Sequence, residues 1–201
     1  TNNRNFTISI KKGLFWWIIV CHNIYFQHKD IIEQINYPPI LKSEIIKKGY
    51  EWLEKKKINI QKNKVVFMHI RRGDYLHWPS KEFPGALDIN WYKRAMSLVK
   101  TKLQNPIFIL MGDDQQYLHD FFDENESIII SDNKAEIDLS IMSLCNAGIL
   151  SASSFVWWGA FFANSYNKDN SYFIAPNYWL GHRMKRWFPK NFYVQWINYF
   201  E

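Results

Sequence analysis

The sequence predicts an α/β domain organised on a doubly wound parallel sheet, and three observations carry that prediction. From residue 64 onward, short apolar runs alternate with longer stretches of helical periodicity, the pattern that builds βαβ units. The apolar runs are nearly continuous rather than alternating, as strands buried on both faces are. The first of them, residues 64–70, holds Val65, Val66, Phe67, Met68 and Ile70, and then meets two arginines, a glycine and an aspartate, which cannot continue a buried strand.

Residues 1–60 read as a separate N-terminal part and 61–201 as the domain proper. Residues 8–20 suit a strand or two. Residues 30–35 begin a short helix that Pro38-Pro39 ends, because the residue before a proline is pushed out of the helical region. Residues 41–57 form an amphipathic helix, with Leu41, Ile45, Ile46, Gly49, Trp52 and Leu53 on one side and lysines on the other. The domain then takes strands at 64–70, 107–111, 127–131, 147–151 and 171–175, with helices at 90–103, 114–122, 136–145 and 155–165 between them. Short strands joined by helical crossovers make a parallel sheet. The connection 74–88, with His77, Trp78, Pro79, Pro84 and Gly85, is long for this architecture, which makes it a candidate acceptor or lid loop. The Trp- and Tyr-rich segment 176–201 is expected to pack back over the domain.

With 201 residues, 47% of them hydrophobic and 22% charged, the chain suits one ordinary folded domain and excludes a disordered one. A net charge of +6 favours a phosphate-bearing partner without choosing among nucleotide sugar, nucleic acid and anionic lipid. The two cysteines, Cys21 and Cys145, are too far apart in sequence for a zinc motif, and Cys145 in its apolar helical pattern reads as a buried thiol. No metal-ligand cluster stands out among the six histidines and no D-x-D triplet occurs. No essential metal and no cofactor are expected. The longest apolar run, residues 14–21, is too short to span a bilayer.

A strand that ends in paired arginines delivers guanidiniums to the sheet edge where ligands of open α/β sheets bind. A guanidinium fork matches a phosphate or carboxylate better than a lysine does, so Arg71 and Arg72 point to an anion. Ser153 and Ser154 stand between a strand and a helix. They suit either simple capping or an anion site at the helix N-terminus.

Two blocks then carry a resemblance. His69-Ile70-Arg71-Arg72-Gly73-Asp74 resembles the HxRRxD motif of α1,2-, α1,6- and O-fucosyltransferases, and with Gly73 and Tyr75 it looks most like the α1,2 enzymes. The stretch from Asp138 through Cys145 to Ser153-Ser154-Phe155 and Trp157-Trp158-Gly159-Ala160 is similar to a second signature of the same family, in the expected order and distance. The resemblance implies the Rossmann-like donor lobe of a GT-B glycosyltransferase, with 1–60 supplying only part of the acceptor side. It implies GDP-fucose as donor, a galactose-containing glycan as acceptor, an α1,2 linkage and no nucleic-acid partner.

By the same resemblance Arg71 meets the leaving diphosphate, with Arg72 partly structural. Asp138 meets the guanine ring, although a carboxylate in a first helical turn also suits the helix dipole. His69 approaches the base or its ribose, and Phe155 belongs to the same binding set. Of Asp113 and Asp114, one is expected to cap the next helix and the other is open to ligand. Asp74 is the one candidate base for the acceptor hydroxyl, unless it simply orients an arginine. Three positions depart from the family pattern: Ala147, Ala152 and Val156 stand where His, Asn and Ser are usual. They bear on the acceptor side and on the linkage. The rival reading is a binding module that holds a nucleotide or a phosphate polymer without turnover. The basic charge is compatible with peripheral membrane association, and the compartment is cytoplasmic or membrane-associated for a bacterial chain and Golgi for a eukaryotic one.

Overall fold

The structure, a computed structural model, describes residues 8–12, 17–21, 40–167, 171–190 and 192–201. The chain falls into two compact units, residues 1–36 and 37–201, so the division comes well before the boundary near residue 60 that composition suggests. In the first unit, β1 (Ile8–Lys12) and β2 (Trp17–Cys21) pair antiparallel, Ile8 opposite Cys21 and Lys12 opposite Trp17. The short helix expected at 30–35 lies outside the described residues.

The second unit opens with α1 (Ser43–Lys55), which belongs to it because Gly49 sits against Ser140 of a later helix and the Ser140 hydroxyl donates to the Ile46 carbonyl. There follow β3 (Val65–Ile70), α2 (Ile89–Lys102), β4 (Ile107–Gly112), α3 (Gln115–Phe121), β5 (Ile128–Ile130), α4 (Ala135–Leu144), β6 (Ala147–Ile149), α5 (Ser154–Asn167), β7 (Tyr172–Pro176) and β8 (Ile197–Phe200). The sheet order is β5-β4-β3-β6-β7-β8 and every pairing is parallel.

Side chains of β3 alternate between two cores, as the pleat requires. Val66, Met68 and Ile70 pack with Trp91, Tyr92, Ala95 and Val99 of α2. Phe67 turns the other way, its ring 6.1 Å from that of Phe173, and Phe173 continues through Trp196 to Trp157 of α5. Both faces of the sheet are covered, and all six residues of β3 are buried. On α5, Trp157 is fully buried while Trp158 is half-buried, as adjacent helical positions demand.

The five predicted strands are present, but the sheet has six. The aromatic tail does more than pack over the domain: Ile197–Phe200 pairs with β7 as an edge strand, and Asn198 donates to the Phe173 carbonyl across that pairing. Among its described residues the connection from 177 to 196 holds only the 3₁₀ turn His182–Met184 and no α-helix, so the crossover that marks the other parallel strands is missing from the sequence pattern.

Numbered by their order along the chain, the six strands run 3-2-1-4-5-6 across the sheet. The direction of winding reverses between β3 and β6, and ligands of such sheets bind at the carboxyl ends of the strands at that switch point.

Candidate functional site

The carboxyl end of β3 is built as a brace. Asp113, just past β4, accepts from the Arg72 backbone N–H through Oδ1 at 2.9 Å and from Nη1 of Arg71 through Oδ2 at 2.9 Å. A Cβ on Gly73 would stand 2.5 Å from that same Oδ2, so only glycine lets the carboxylate lie this close to the turn. Asp114 caps α3 by accepting from the Tyr117 N–H at 3.0 Å, and its other oxygen accepts from Nε of Arg72 at 3.0 Å. These bonds hold the Asp114 carboxyl below the usual carboxylate range, the Tyr117 backbone contributing most and Arg72 next. The Arg72 guanidinium also lies 3.6 Å over the Tyr117 ring. Arg72 is therefore a structural post, held at one edge by a carboxylate and at one face by an aromatic ring.

Arg71 is arranged differently. Its Nη1 is anchored to Asp113, while Nη2 donates to Asp74 at 2.6 Å. Asp74 sits in the 3₁₀ turn Gly73–Leu76 and its side chain is 59% exposed, against 24% for Asp113. An exposed ion pair of this kind is worth at most about 1 kcal/mol, so an incoming dianion can take the place of Asp74 while Asp113 keeps its hold. Two guanidiniums here face three carboxylates, a local balance of −1, and an anionic ligand is admitted only as one carboxylate gives way.

Across the switch point, residues from β3 and from the segment after β6 meet. Nδ1 of His69 lies 2.7 Å from the Ser151 hydroxyl, and its ring centroid is 5.6 Å from that of Phe155. His69 is buried, and burial together with the nearby Arg71 charge pushes its pKa down to about 3, so the imidazole is neutral. The Tyr75 hydroxyl donates to the Ala152 carbonyl at 3.2 Å. Ser153 is buried, its carbonyl accepting from the Trp157 N–H, and Ser154 opens α5 as an exposed residue. Arg71, Ser153, Ser154 and Phe155 thus share one edge of the sheet.

Asp138 lies elsewhere on that edge. Its Oδ1 accepts from the Ser131 hydroxyl at 2.6 Å, just past β5 and two strands from β3, a lateral offset of about 10 Å. Burial pushes its carboxyl up to about 6, against the bonds from Ser131 and Asn133 that favour the anion. A carboxyl raised by folding binds its proton more tightly in the native state. Its contribution to stability is present below about pH 4 and is lost as pH rises through about 6. The slope is at most about 1.4 kcal/mol per pH unit. Asp138→Asn keeps an acceptor for Ser131 and is expected to flatten that slope, which melting temperatures from about pH 4 to about pH 7 on both proteins will read. Parallel curves for the two would remove the assignment.

Four supporting residues escape a reading by spacing alone. Ser151 and Tyr75 lie inside the two motif blocks, so position marks them without revealing their partners. Tyr117 carries no local signal, since its contact with Arg72 exists only once α3 folds back on the β3 turn. Tyr92, fully buried in α2, stands close to the backbone of Arg71, and burial raises its hydroxyl well above the usual range. Ala147, Ala152 and Val156 are all buried, in positions where a polar side chain would need a partner. Cys145 is a buried free thiol. Among the described residues no group of His, Cys, Asp and Glu is placed to hold a metal ion, and no helix is long and apolar enough to cross a membrane.

A six-stranded doubly wound parallel sheet with paired arginines at its switch point defines a domain of the Rossmann-like kind. The chain belongs to glycosyl transferase family 11, whose model matches residues 13–200. Among characterised relatives, it is 26% identical over 148 residues to the O-antigen biosynthesis glycosyltransferase WbnK of Escherichia coli, covering 71% of this chain and 47% of that protein. It is 31% identical over 120 residues to an α-1,2-colitosyltransferase of Escherichia coli, covering 57% and 40%. It is 24% identical over 109 residues to galactoside α-(1,2)-fucosyltransferase 2 of Pongo pygmaeus, covering 51% and 32%. The chain therefore spans less than half the length of these relatives. Among solved structures, the α-1,6-fucosyltransferase NodZ from Bradyrhizobium is 17% identical over 61% of this chain and 43% of its own, with a TM-score of 0.41. That likeness is too loose to add to the family assignment.

Proposed function

We propose that this chain serves the inverting, metal-independent transfer of L-fucose from GDP-fucose to a hydroxyl of a galactose-containing glycan, forming an α1,2 linkage. The observation that carries the reading is Arg71: one end of its guanidinium is fixed by Asp113, and the other is held only by an exposed, replaceable carboxylate. As the bond between fucose C1 and the phosphate oxygen breaks, negative charge grows on the diphosphate, and a fixed cation at that point stabilises it. The acceptor hydroxyl attacks C1 and must lose its proton. Asp74, released from Arg71 as the diphosphate takes its place, is the candidate base. Asp138 lies about two strands from Arg71 across the sheet edge, an offset that suits a guanine ring whose diphosphate is on Arg71. Ionised, it accepts from the adjacent N–H groups that guanine has and adenine lacks.

Binding to the native state alone raises the melting temperature. GDP is expected to stabilise the chain more than ADP or UDP, with EDTA present and no metal added, in a thermal-shift series on one preparation. Equal effects of the three nucleotides would remove the guanine contact, and dependence on added Mn²⁺ would remove the metal-free route. A colitosyltransferase among the relatives makes the donor sugar a separate question. Fucose and colitose donors assayed in parallel with a lactose-type acceptor, with products read by mass, decide it.

A further inference from the structure

An aromatic strip runs outward from Arg71. The Arg71 guanidinium carbon lies 5.5 Å over the Tyr75 ring, Trp78 is 5.2 Å from Tyr75, and Phe188 is 6.5 Å from Trp78. Leu76 and Phe188 are 38% and 40% exposed, and Trp78 is half-buried. Other large rings of the same C-terminal region, such as Trp179 and Phe192, are buried at 2% and 3%. Tyr193 of the same region is 45% exposed away from the strip, so it is the place beside Arg71 that distinguishes these rings.

The strip is assembled from two connections distant in sequence, and each rung is fixed through its backbone. The Gly85 N–H donates to the Trp78 carbonyl at 2.7 Å and the Ala86 N–H to the Tyr75 carbonyl at 3.1 Å. On the other connection, the Leu180 N–H donates to the Phe188 carbonyl at 3.2 Å and the Phe188 N–H to the Tyr178 carbonyl at 3.3 Å. The two connections dock at Gly85, where a Cβ would stand 2.8 Å from Leu180 Cδ2 and 3.0 Å from Tyr75 Cδ2. The surface is therefore preorganised, which lowers what a ligand must spend on ordering it.

We propose that Tyr75, Trp78 and Phe188 form the platform on which the terminal sugar ring of the acceptor lies, a reading that rests on the transferase function above. The acceptor hydroxyl must reach the carbon bonded to the diphosphate, so its ring must lie beside whatever Arg71 holds, and the strip begins there. A pyranose has an apolar C–H face and a rim of hydroxyls. Aromatic rings suit the face, and the charged and polar groups of the same turn, Arg71, Asp74 and His77, suit the rim.

The test uses the full chain with lactose as acceptor. Trp78→Ala is expected to raise the acceptor KM roughly tenfold, and Phe188→Ala less, while the KM for GDP-fucose stays within about twofold. Trp78→Tyr should recover most of the loss. Saturation-transfer NMR on lactose in the presence of GDP reads the same contact without turnover. Saturation should reach the lactose ring protons in the wild-type chain and fade in Trp78→Ala. An unchanged acceptor KM, as when another polypeptide covers the strip, equal rises in both KM values, or no saturation of lactose by the wild-type chain would each overturn the platform. Failure of the transferase reading itself has a different signature: no stabilisation by GDP and no product from the wild-type chain with any acceptor.

Discussion

Arg71→Lys is expected to lower turnover by about 10²- to 10³-fold in a chain that stays folded, the range seen when one preorganised donor is removed from developing charge. The geometry explains why retained charge is not enough. Arg71 holds Asp113 with Nη1 and the exposed Asp74 with Nη2, so a ligand that displaces Asp74 meets a guanidinium still anchored at its other end. A lysine has a single nitrogen, which either pairs with Asp113 or follows the ligand. Because Arg72 carries the structural load through Asp114 and Tyr117, the melting temperature should hardly move. Turnover and melting temperature measured on one preparation decide the matter. Near-normal turnover in a folded Arg71→Lys protein would sink the diphosphate assignment.

Asp113→Ala should cost both activity and stability, and this double effect separates it from Arg71→Lys. The carboxylate accepts the Arg72 N–H and the Arg71 side chain at once, so its loss leaves a backbone donor unpaired and the Arg71 guanidinium without its anchor. An unsatisfied donor of this sort costs about 1–3 kcal/mol of stability. The loosened Arg71 should reduce turnover on the order of 10- to 100-fold, since displacement of a positioned group by about 1 Å has effects of that size. Asp113→Asn retains an acceptor for the Arg72 N–H and should recover most of the stability but little of the turnover. Near-normal turnover in Asp113→Asn would show that the charge on Asp113 has no part in holding Arg71.

The sequence by itself determined the alternation of buried strands and helices, because continuous apolar runs and 3.6-residue periodicity are local properties of the chain. It also determined where β3 ends, since Arg71 and Arg72 cannot stay in a two-sided core, and it marked the two motif blocks that carry the family resemblance. It left β8 hidden, because a four-residue edge strand without a preceding α-helix has no crossover to announce it. Spacing alone could not say which of Asp113 and Asp114 would cap α3, or that Asp74 would be a counter-ion to Arg71. Nor could it say that Arg72 would be spent on Asp114 and Tyr117 while Arg71 took Asp113. Those outcomes depend on parallel crossovers that set residues 41 and 82 positions apart side by side, Arg72 on Asp113 and His69 on Ser151. Partners at such separations are chosen by which strand lies next to which, and strand order is decided by how the helices cover both faces of the sheet, not by any stretch of residues taken alone.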